Sequence, residues 1–400
     1  MTVATSTIKS MPGLPTEIPG RSCCCEAFVS GLLVDSSGTR RPYRLSRVRK
    51  ALPGIGSAST LHFLATAAWV LRGNGIEAWH DASVAVCTPA GLGASFGDPE
   101  LSSLTRSTIK PLQALALLTS GAADEFGFDA REIAVACSSH NGDDEHRSVA
   151  RSMLDKARIA ESALGCGAHL PIGMRIAERT PTQGEDRDPL RNNCSGKHAG
   201  FLAVCKHLGE PLEAYLDPNS ATQQRVLAEV AAVCEVDAVS LARGTDGCSA
   251  PNYALPLSAL ARGMLRVASP NLAPERLRPA LERIREAMLR YPELVSGKGR
   301  FDFALATSFP GKLIVKSGAE AMQAGAFVDP PLGFAIKVHD GGSRALPPIC
   351  ISMLRQLGVV LGELPPALAS YERPVVKNHN QIVTGEIRAT LALTAHHPRA

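Results

Sequence analysis

The apolar positions of this chain change period along its length, and the changes mark its elements. Ser83–Cys87 and Leu92–Phe96 are short, apolar and rich in small or β-branched residues, with Pro89-Ala90-Gly91 between them. That pattern predicts two strands joined as a hairpin. Leu61–Leu71, ended by Gly73 and Gly75, predicts a short helix. A helix is also predicted over 108–118, with Ser107 near its N-cap and Gly121 past its end. Pro111 removes an early backbone hydrogen bond there, so the first turn is expected to be loose or 3₁₀. From Leu112 to Leu118 there is no polar face, which marks a helix buried on all sides.

Ile133–Cys137 is a continuous apolar run ending in the polar segment Ser138–Gly142, and 186–198 is a polar loop carrying Asn and Gly. Helical periodicity covers Arg147–Ser162, Ala199–Leu208, Ala221–Val233, Leu255–Val267, Pro274–Arg290 and Arg344–Leu361. Leu313–Val315 and Phe334–Val338 read as strands. Strands thus lie towards both ends, with helices filling the middle. Terminal strands pairing into one antiparallel sheet, with a helical region between them, give an α+β fold in three α/β/α layers. Residues 76–395 are expected to form a single catalytic domain. Residues 1–75, rich in Ser, Thr, Gly and Pro over their first forty positions, are expected to be a poorly ordered extension.

Charge narrows the function. The net charge is +4, but residues 1–50 hold eight Lys/Arg against three acids, which leaves −1 for the rest. A near-neutral body with 4% aromatic residues offers neither the basic field nor the stacking platforms of a nucleic-acid binder. Eleven cysteines at irregular spacing do not form a secreted disulfide framework. No apolar run reaches transmembrane length and the N-terminus does not read as a signal peptide. The expectation is a cytoplasmic protein with no membrane and no nucleic acid among its partners.

Candidate chemistry sits in polar, Gly-bearing loops that follow apolar runs. Ser107-Thr108-Ile109-Lys110 places a hydroxyl and an amine three residues apart, on one face if helical. A desolvated lysine can take the serine's proton. The four letters recur at Ser6–Lys9, so spacing alone does not make a site; taken singly, a capping serine and a surface lysine account for it better. Further polar loops are Cys137–Gly142, Arg191–His198, Arg243–Ser249 and Lys316–Glu320. A Ser-x-x-Lys, a later serine and a Lys-Ser-Gly after a strand form the skeleton of serine β-lactamases and penicillin-binding proteins.

Taken together, Arg106–Pro111, Cys137–Gly142, Arg191–Gly200, Gly244–Ala250, Tyr291–Arg300 and Lys316–Glu320 resemble the class 3, rhizobial-type (thermolabile or inducible) L-asparaginase II family, built on the serine β-lactamase-like fold. The resemblance covers residues 83–345 and implies hydrolysis of L-asparagine to L-aspartate and ammonia by two Ser–Lys pairs, in a homodimer. Ser107 with Lys110 matches the first pair and Ser139 with Lys316 the second, with Lys337 a rival to Lys316. The resemblance also implies a zinc ion (Zn2+) held by Cys194, Lys197 and Cys248. Arg106, His198 and Asp246 would then contact substrate or orient the ligands. Read from the residues alone, Cys194-x-x-Lys197 is not a zinc spacing, and a structural thiol comes ahead of a ligand for either cysteine. His140 and His146 are neighbours that could compete for the metal, and Ala321 stands where the resemblance leads one to expect glycine. Two other readings remain: another Ser–Lys hydrolase of the β-lactamase or penicillin-binding type, and a non-catalytic zinc or amino-acid binder.

Overall fold

The computed structural model describes residues 65–396, except 183, 185 and 186, together with two short strands, Leu33–Val34 and Arg40–Arg41, paired antiparallel in a unit of their own. Most of the expected N-terminal extension therefore lies outside the described residues.

The chain order is strands, helices, strands. It opens with β1 (Thr66–Arg72), β2 (Gly75–Thr88), β3 (Gly91–Phe96) and the short β4 (Ser102–Leu104). Two further short strands, β5 (Arg243–Thr245) and β6 (Pro251–Pro256), interrupt the helical middle. The chain returns with β7 (Leu313–Gly318), β8 (Met322–Phe327) and β9 (Leu332–Val338), then β10 (Val375–Lys377), β11 (Val383–Ala389) and β12 (Thr394–Ala395). The main sheet runs β10-β11-β1-β2-β9-β8-β7, with β3 on β2 and β12 on β3, and every pairing is antiparallel. The fourteen-residue β2 serves both halves of the sheet: its first half pairs with β1, its second with β9 and β3.

Alternation along the strands divides two cores. Ala85, Cys87, Ala324 and Ala335 face the core shared with the helical middle, whereas Val84, Val86, Phe334 and Ile336 face the other, which Leu346–Gln356 covers. Side-chain period two buries both faces of a central sheet in this way. The fold is therefore α+β in three layers, as the order of elements predicts. Among the described residues no helix is long and apolar enough to cross a membrane.

Three local expectations need correction. Thr66–Arg72 is a strand of the main sheet, not part of a helix, so ordered structure begins ahead of residue 76. Its side chains alternate between buried Ala68 and Val70 and exposed Trp69, the period of a strand. The helix over 108–118 is broken into a 3₁₀ turn, Arg106–Ile109, and two short α segments, Lys110–Gln113 and Leu115–Thr119. Ser107 lies inside the turn, and Thr105 is the N-cap. The expected effect of Pro111 on this first turn is thus visible.

Candidate active site

β4 pairs with β6, and this small sheet delivers the chain to Thr105 and Arg106. Arg106 is in the left-handed region, φ 49, a conformation that costs a non-glycine residue about 1–2 kcal/mol. Buried Asn252, next along from Pro251 at the start of β6, holds it there. Its Oδ1 accepts from Arg106 N at 3.0 Å, and its Nδ2 donates to Arg106 O at 3.1 Å. The guanidinium of Arg106 turns to Asp246, Nε to Oδ1 2.9 Å. Ser107 follows, half-buried, its hydroxyl free of any hydrogen-bond partner among the described residues. Gly318 at the end of β7 packs on this turn: a Cβ there would lie 3.1 Å from Thr105 O and 3.2 Å from Ser107 N. A side chain there would make the turn give by a few tenths of an ångström.

Ser139 comes from a different element. Ala130–Ala136 is a helix with a full capping box from Asp129 and Glu132, and the chain leaves it through buried Cys137 and Ser138. Ser139 is fixed on every side. Its N–H donates to Val295 O at 3.0 Å, its carbonyl accepts from Arg300, and its Oγ accepts from Lys110 Nζ at 2.9 Å. Lys110, 1% exposed, also donates to Ser138 O (2.5 Å) and Asn193 O (3.3 Å) and touches Cys194 Sγ (3.1 Å). The Lys110 side chain is thus joined to Ser139 and not to the Ser107 hydroxyl; its backbone N–H donates to Ser107 O within the turn.

Lys316, on β7, is wholly buried and donates to Ser317 O at 2.7 Å. Burial lowers its pKa to about 7; the nearby carboxylate of Asp302 opposes this, while Lys110 and Arg300 add to it. Asp302 accepts from Ser317 N and Oγ, both 2.8 Å, and from Gln323 Nε2 at 3.0 Å. Burial alone would raise its pKa, yet Lys316 and Arg300 hold it below the usual range. The rival Lys337 is spent on Glu320 O and does not reach the cavity wall.

Between these elements lies a cavity of about 630 Å3. Its wall carries Arg106 and Ser107, Ser139, the segment His169–Arg175 in part, Asn192–Cys194, Asp246–Cys248, Arg300 and Ser317–Ala319. Of the residues singled out in sequence, Ser107, Ser139, Arg106, Asp246, Cys194 and Cys248 meet on this wall. Lys110, Lys316, Lys197 and His198 are buried and not part of it. His140 is committed through both ring nitrogens, to Gly142 N–H (3.1 Å) and Ser195 Oγ (2.9 Å). His146 Nε2 meets Glu293 O at 2.8 Å, and neither histidine lines the cavity.

The sulfurs form a second cluster. Lys197 Nζ lies 3.0 Å from Cys248 Sγ, and Cys194 hydrogen-bonds the same sulfur. That bond, against burial and with help from Lys197 and His198, pushes Cys248 far down, while Cys194 and Lys197 are held protonated. Cys248 is the sulfur of the pair that most favours the thiolate, and Cys194 and Lys197 are its neighbours. Burial lowers the His198 pKa to about 4; its Nδ1 meets Tyr215 OH at 2.7 Å, while Nε2 is buried without a partner. Two sulfurs and a lysine nitrogen are donors that suit zinc once the protons leave. Among the described residues no three His, Cys, Asp or Glu side chains suffice for a metal without that lysine.

Sequence reasoning missed Asn252, Asp302, His169 and Arg175. Asn252 and Asp302 act through partners distant in the chain, and His169 and Arg175 reach the wall only through the packing of their loop.

The profile of the L-asparaginase II family matches residues 68–389. No curated protein matches the chain. Among solved structures, a β-lactamase from Mycobacterium bovis is similar at 13% identity and TM-score 0.37, over 69% of this chain and 94% of that one. Mglu in its glutamate form is similar at 15% identity and TM-score 0.33, over 70% of this chain and 62% of that one.

Proposed function

The chain belongs to the L-asparaginase II family, an amidohydrolase family, and from that premise we propose that it hydrolyses L-asparagine to L-aspartate and ammonia. The observation that carries the proposal is the meeting of two unlike serines in one cavity, with a buried lysine on the second.

Ser107 Oγ attacks the side-chain amide carbon. Lys110, one helical turn on, accepts the proton and hands it through Ser139 to the amide nitrogen, which leaves as ammonia when the C–N bond breaks. Ser107 N–H, beside the β7 edge, donates to the oxyanion as charge develops there. Water then attacks the acyl ester, and aspartate departs as Ser107 regains its proton. Two buried ammonium groups repel, so the lysine pair works with one proton fewer than it can hold; Lys316, neutral above about pH 7, draws the proton off Lys110 and leaves it the free amine that accepts from Ser107. Arg106 and Asp246, a cation and an anion 2.9 Å apart beside the nucleophile, match the α-carboxylate and α-ammonium of the substrate. His198 orients the sulfur cluster from behind.

Cys194, Lys197 and Cys248 would hold a zinc ion with Lys197 neutral, and zinc there supplies a fixed positive charge that orients the substrate. We further propose a cytoplasmic location, from the cysteine usage and hydropathy of the chain, and a homodimer, as in the resembling family.

Ammonia release from L-asparagine, L-glutamine and a penicillin, with zinc content measured on the same sample, tests the reading. Turnover of asparagine with no acylation by the penicillin is expected. Penicillin acylation without asparagine turnover would favour a β-lactamase-type hydrolase, and binding without turnover a non-catalytic protein.

A further inference from the structure

The cavity is larger than asparagine requires. Pockets of about 300–1,000 Å3 enclose drug-sized ligands, and this one is about 630 Å3, whereas asparagine has nine non-hydrogen atoms. Ammonia, the leaving group, needs no wall of its own. Yet one stretch of wall plays no part in the asparagine reaction. It is His169–Arg175, which contributes His169, Leu170, Ile172 and Arg175.

The placement of this wall follows from its packing. Gly173 N–H donates to Asn141 O at 2.9 Å, and a Cβ on Gly142 would lie 3.1 Å from Pro171 Cβ. The segment therefore rests on the loop that carries Ser139, not on the turn that carries Ser107. In the proposed reaction Ser139 protonates the leaving nitrogen, so whatever is attached to that nitrogen extends along this wall. His169 is held in place by its neighbours: Nδ1 meets Leu170 O at 2.8 Å and Nε2 accepts from Asn193 N–H at 3.2 Å. The wall then offers two apolar side chains and one guanidinium.

That guanidinium is spare. Arg106 is paired with Asp246, and Arg300 is engaged with Ser139 O and Ser317 Oγ. Arg175 is exposed at the rim, and its guanidinium has no hydrogen-bond or ion-pair partner among the described residues. Asp246 is the one carboxylate on the cavity wall, against three arginines. A zwitterionic amino acid leaves this excess positive charge unmatched; a substrate with a second carboxylate on its leaving side does not.

We infer that the cavity also takes β-aspartyl dipeptides, with the carboxylate of the leaving amino acid on Arg175 and its side chain on Leu170 and Ile172. This rests on the reading of Ser107 as nucleophile and Ser139 as proton donor. Ser107 Oγ forms the ester with the β-carbonyl carbon. The isopeptide C–N bond breaks, and the leaving amino nitrogen takes the proton that Ser107 gave up. Water then cleaves the ester, so one dipeptide and one water yield aspartate and one free amino acid, with no other reactant.

The test compares L-asparagine, β-aspartyl-leucine and β-aspartyl-leucinamide on the full-length protein as purified. The wild type is expected to release aspartate and leucine in equal amounts, and to use the leucinamide, which lacks the carboxylate, about tenfold less well. Arg175→Gln should lower the dipeptide-to-asparagine ratio of kcat/KM about tenfold, an ion pair's worth of discrimination at an open site. Arg175→Lys should restore part of it. Cleavage of asparagine without cleavage of the dipeptide overturns this inference and leaves the asparaginase reading standing. The same follows if dipeptide and leucinamide are used equally and Arg175→Gln leaves the ratio unmoved. Failure on all three substrates overturns both readings together.

Discussion

Ser107 and Ser139 face one cavity but are built in opposite ways. Ser107 stands on a turn whose preceding residue is strained at φ 49, with the strain held by Asn252, and its hydroxyl is open and unpartnered among the described residues. Ser139 is 3% exposed, follows a capped helix, and has its N–H, carbonyl and hydroxyl all engaged. A nucleophile must move towards carbon and gains from an oxygen with nothing to release. A relay must not move, and gains from a fixed partner on either side. The difference is the ground on which attack is proposed for Ser107 and proton transfer for Ser139, a choice that two Ser–Lys pairs in sequence leave open.

Substitutions sharpen that contrast in order of size. Ser107→Ala should lower kcat by about 10⁴-fold or more, the loss typical of a missing nucleophile. Ser139→Ala should lower it by about 10²–10³-fold, the scale of lost general acid–base help. Equal losses, or the reverse order, would break the comparison. Steady-state rates of ammonia release decide it.

Next in size is the effect of Lys316. Its pKa of about 7 means that it is charged below that pH and neutral above. Since the mechanism needs one lysine of the pair neutral, kcat/KM should rise with pH through about 7 and level off above it. Lys316→Arg, which keeps the charge at every pH, should abolish this limb and leave about 10²-fold less activity at pH 8. A pH profile flat from 5 to 9 in the wild type would contradict the role given to Lys316.

Gly318→Ala tests whether the β7 edge and the Ser107 turn work as one unit. The added methyl lies 3.1–3.2 Å from Thr105 O and Ser107 N, so these must shift by tenths of an ångström, just where the oxyanion donor is aimed. A drop in kcat of about tenfold, with little change in melting temperature, is expected. The smallest effect on catalysis per unit of stability lost belongs to Asn252→Ala. It removes two hydrogen bonds that fix Arg106, and should destabilise the fold by about 1–3 kcal/mol, read from chemical denaturation.

The same contrast explains what was legible in sequence. Ser83–Cys87, Leu92–Phe96 and Phe334–Val338 were readable as strands because they are bounded by turns and carry enough apolar bulk. Met322–Phe327 was not, because its centre, Ala324-Gly325-Ala326, is too small to show a period, although it lies fully buried between β7 and β9. Thr66–Arg72 was misread because an apolar stretch ended by glycines imitates a helix. At the site, the serines and cysteines stand in polar loops after apolar runs, which local reading can find. Their partners cannot be found so. Asn252 is 146 residues from Arg106, and Ser139 meets Lys110 across 29 residues of chain. Ala321, standing where the resemblance leads one to expect glycine, keeps the glycine-like conformation at φ 53, so the backbone here is set by the sheet and not by the residue.

The central claim is that Ser107, and not Ser139, becomes covalently bonded to substrate. An electrophilic diazoketone analogue of L-asparagine, incubated with the wild-type protein and followed by peptide mass mapping, reads this directly. A single adduct on the peptide bearing Ser107, lost in Ser107→Ala and retained in Ser139→Ala, is the result expected. An adduct on Ser139 that survives in Ser107→Ala would contradict it.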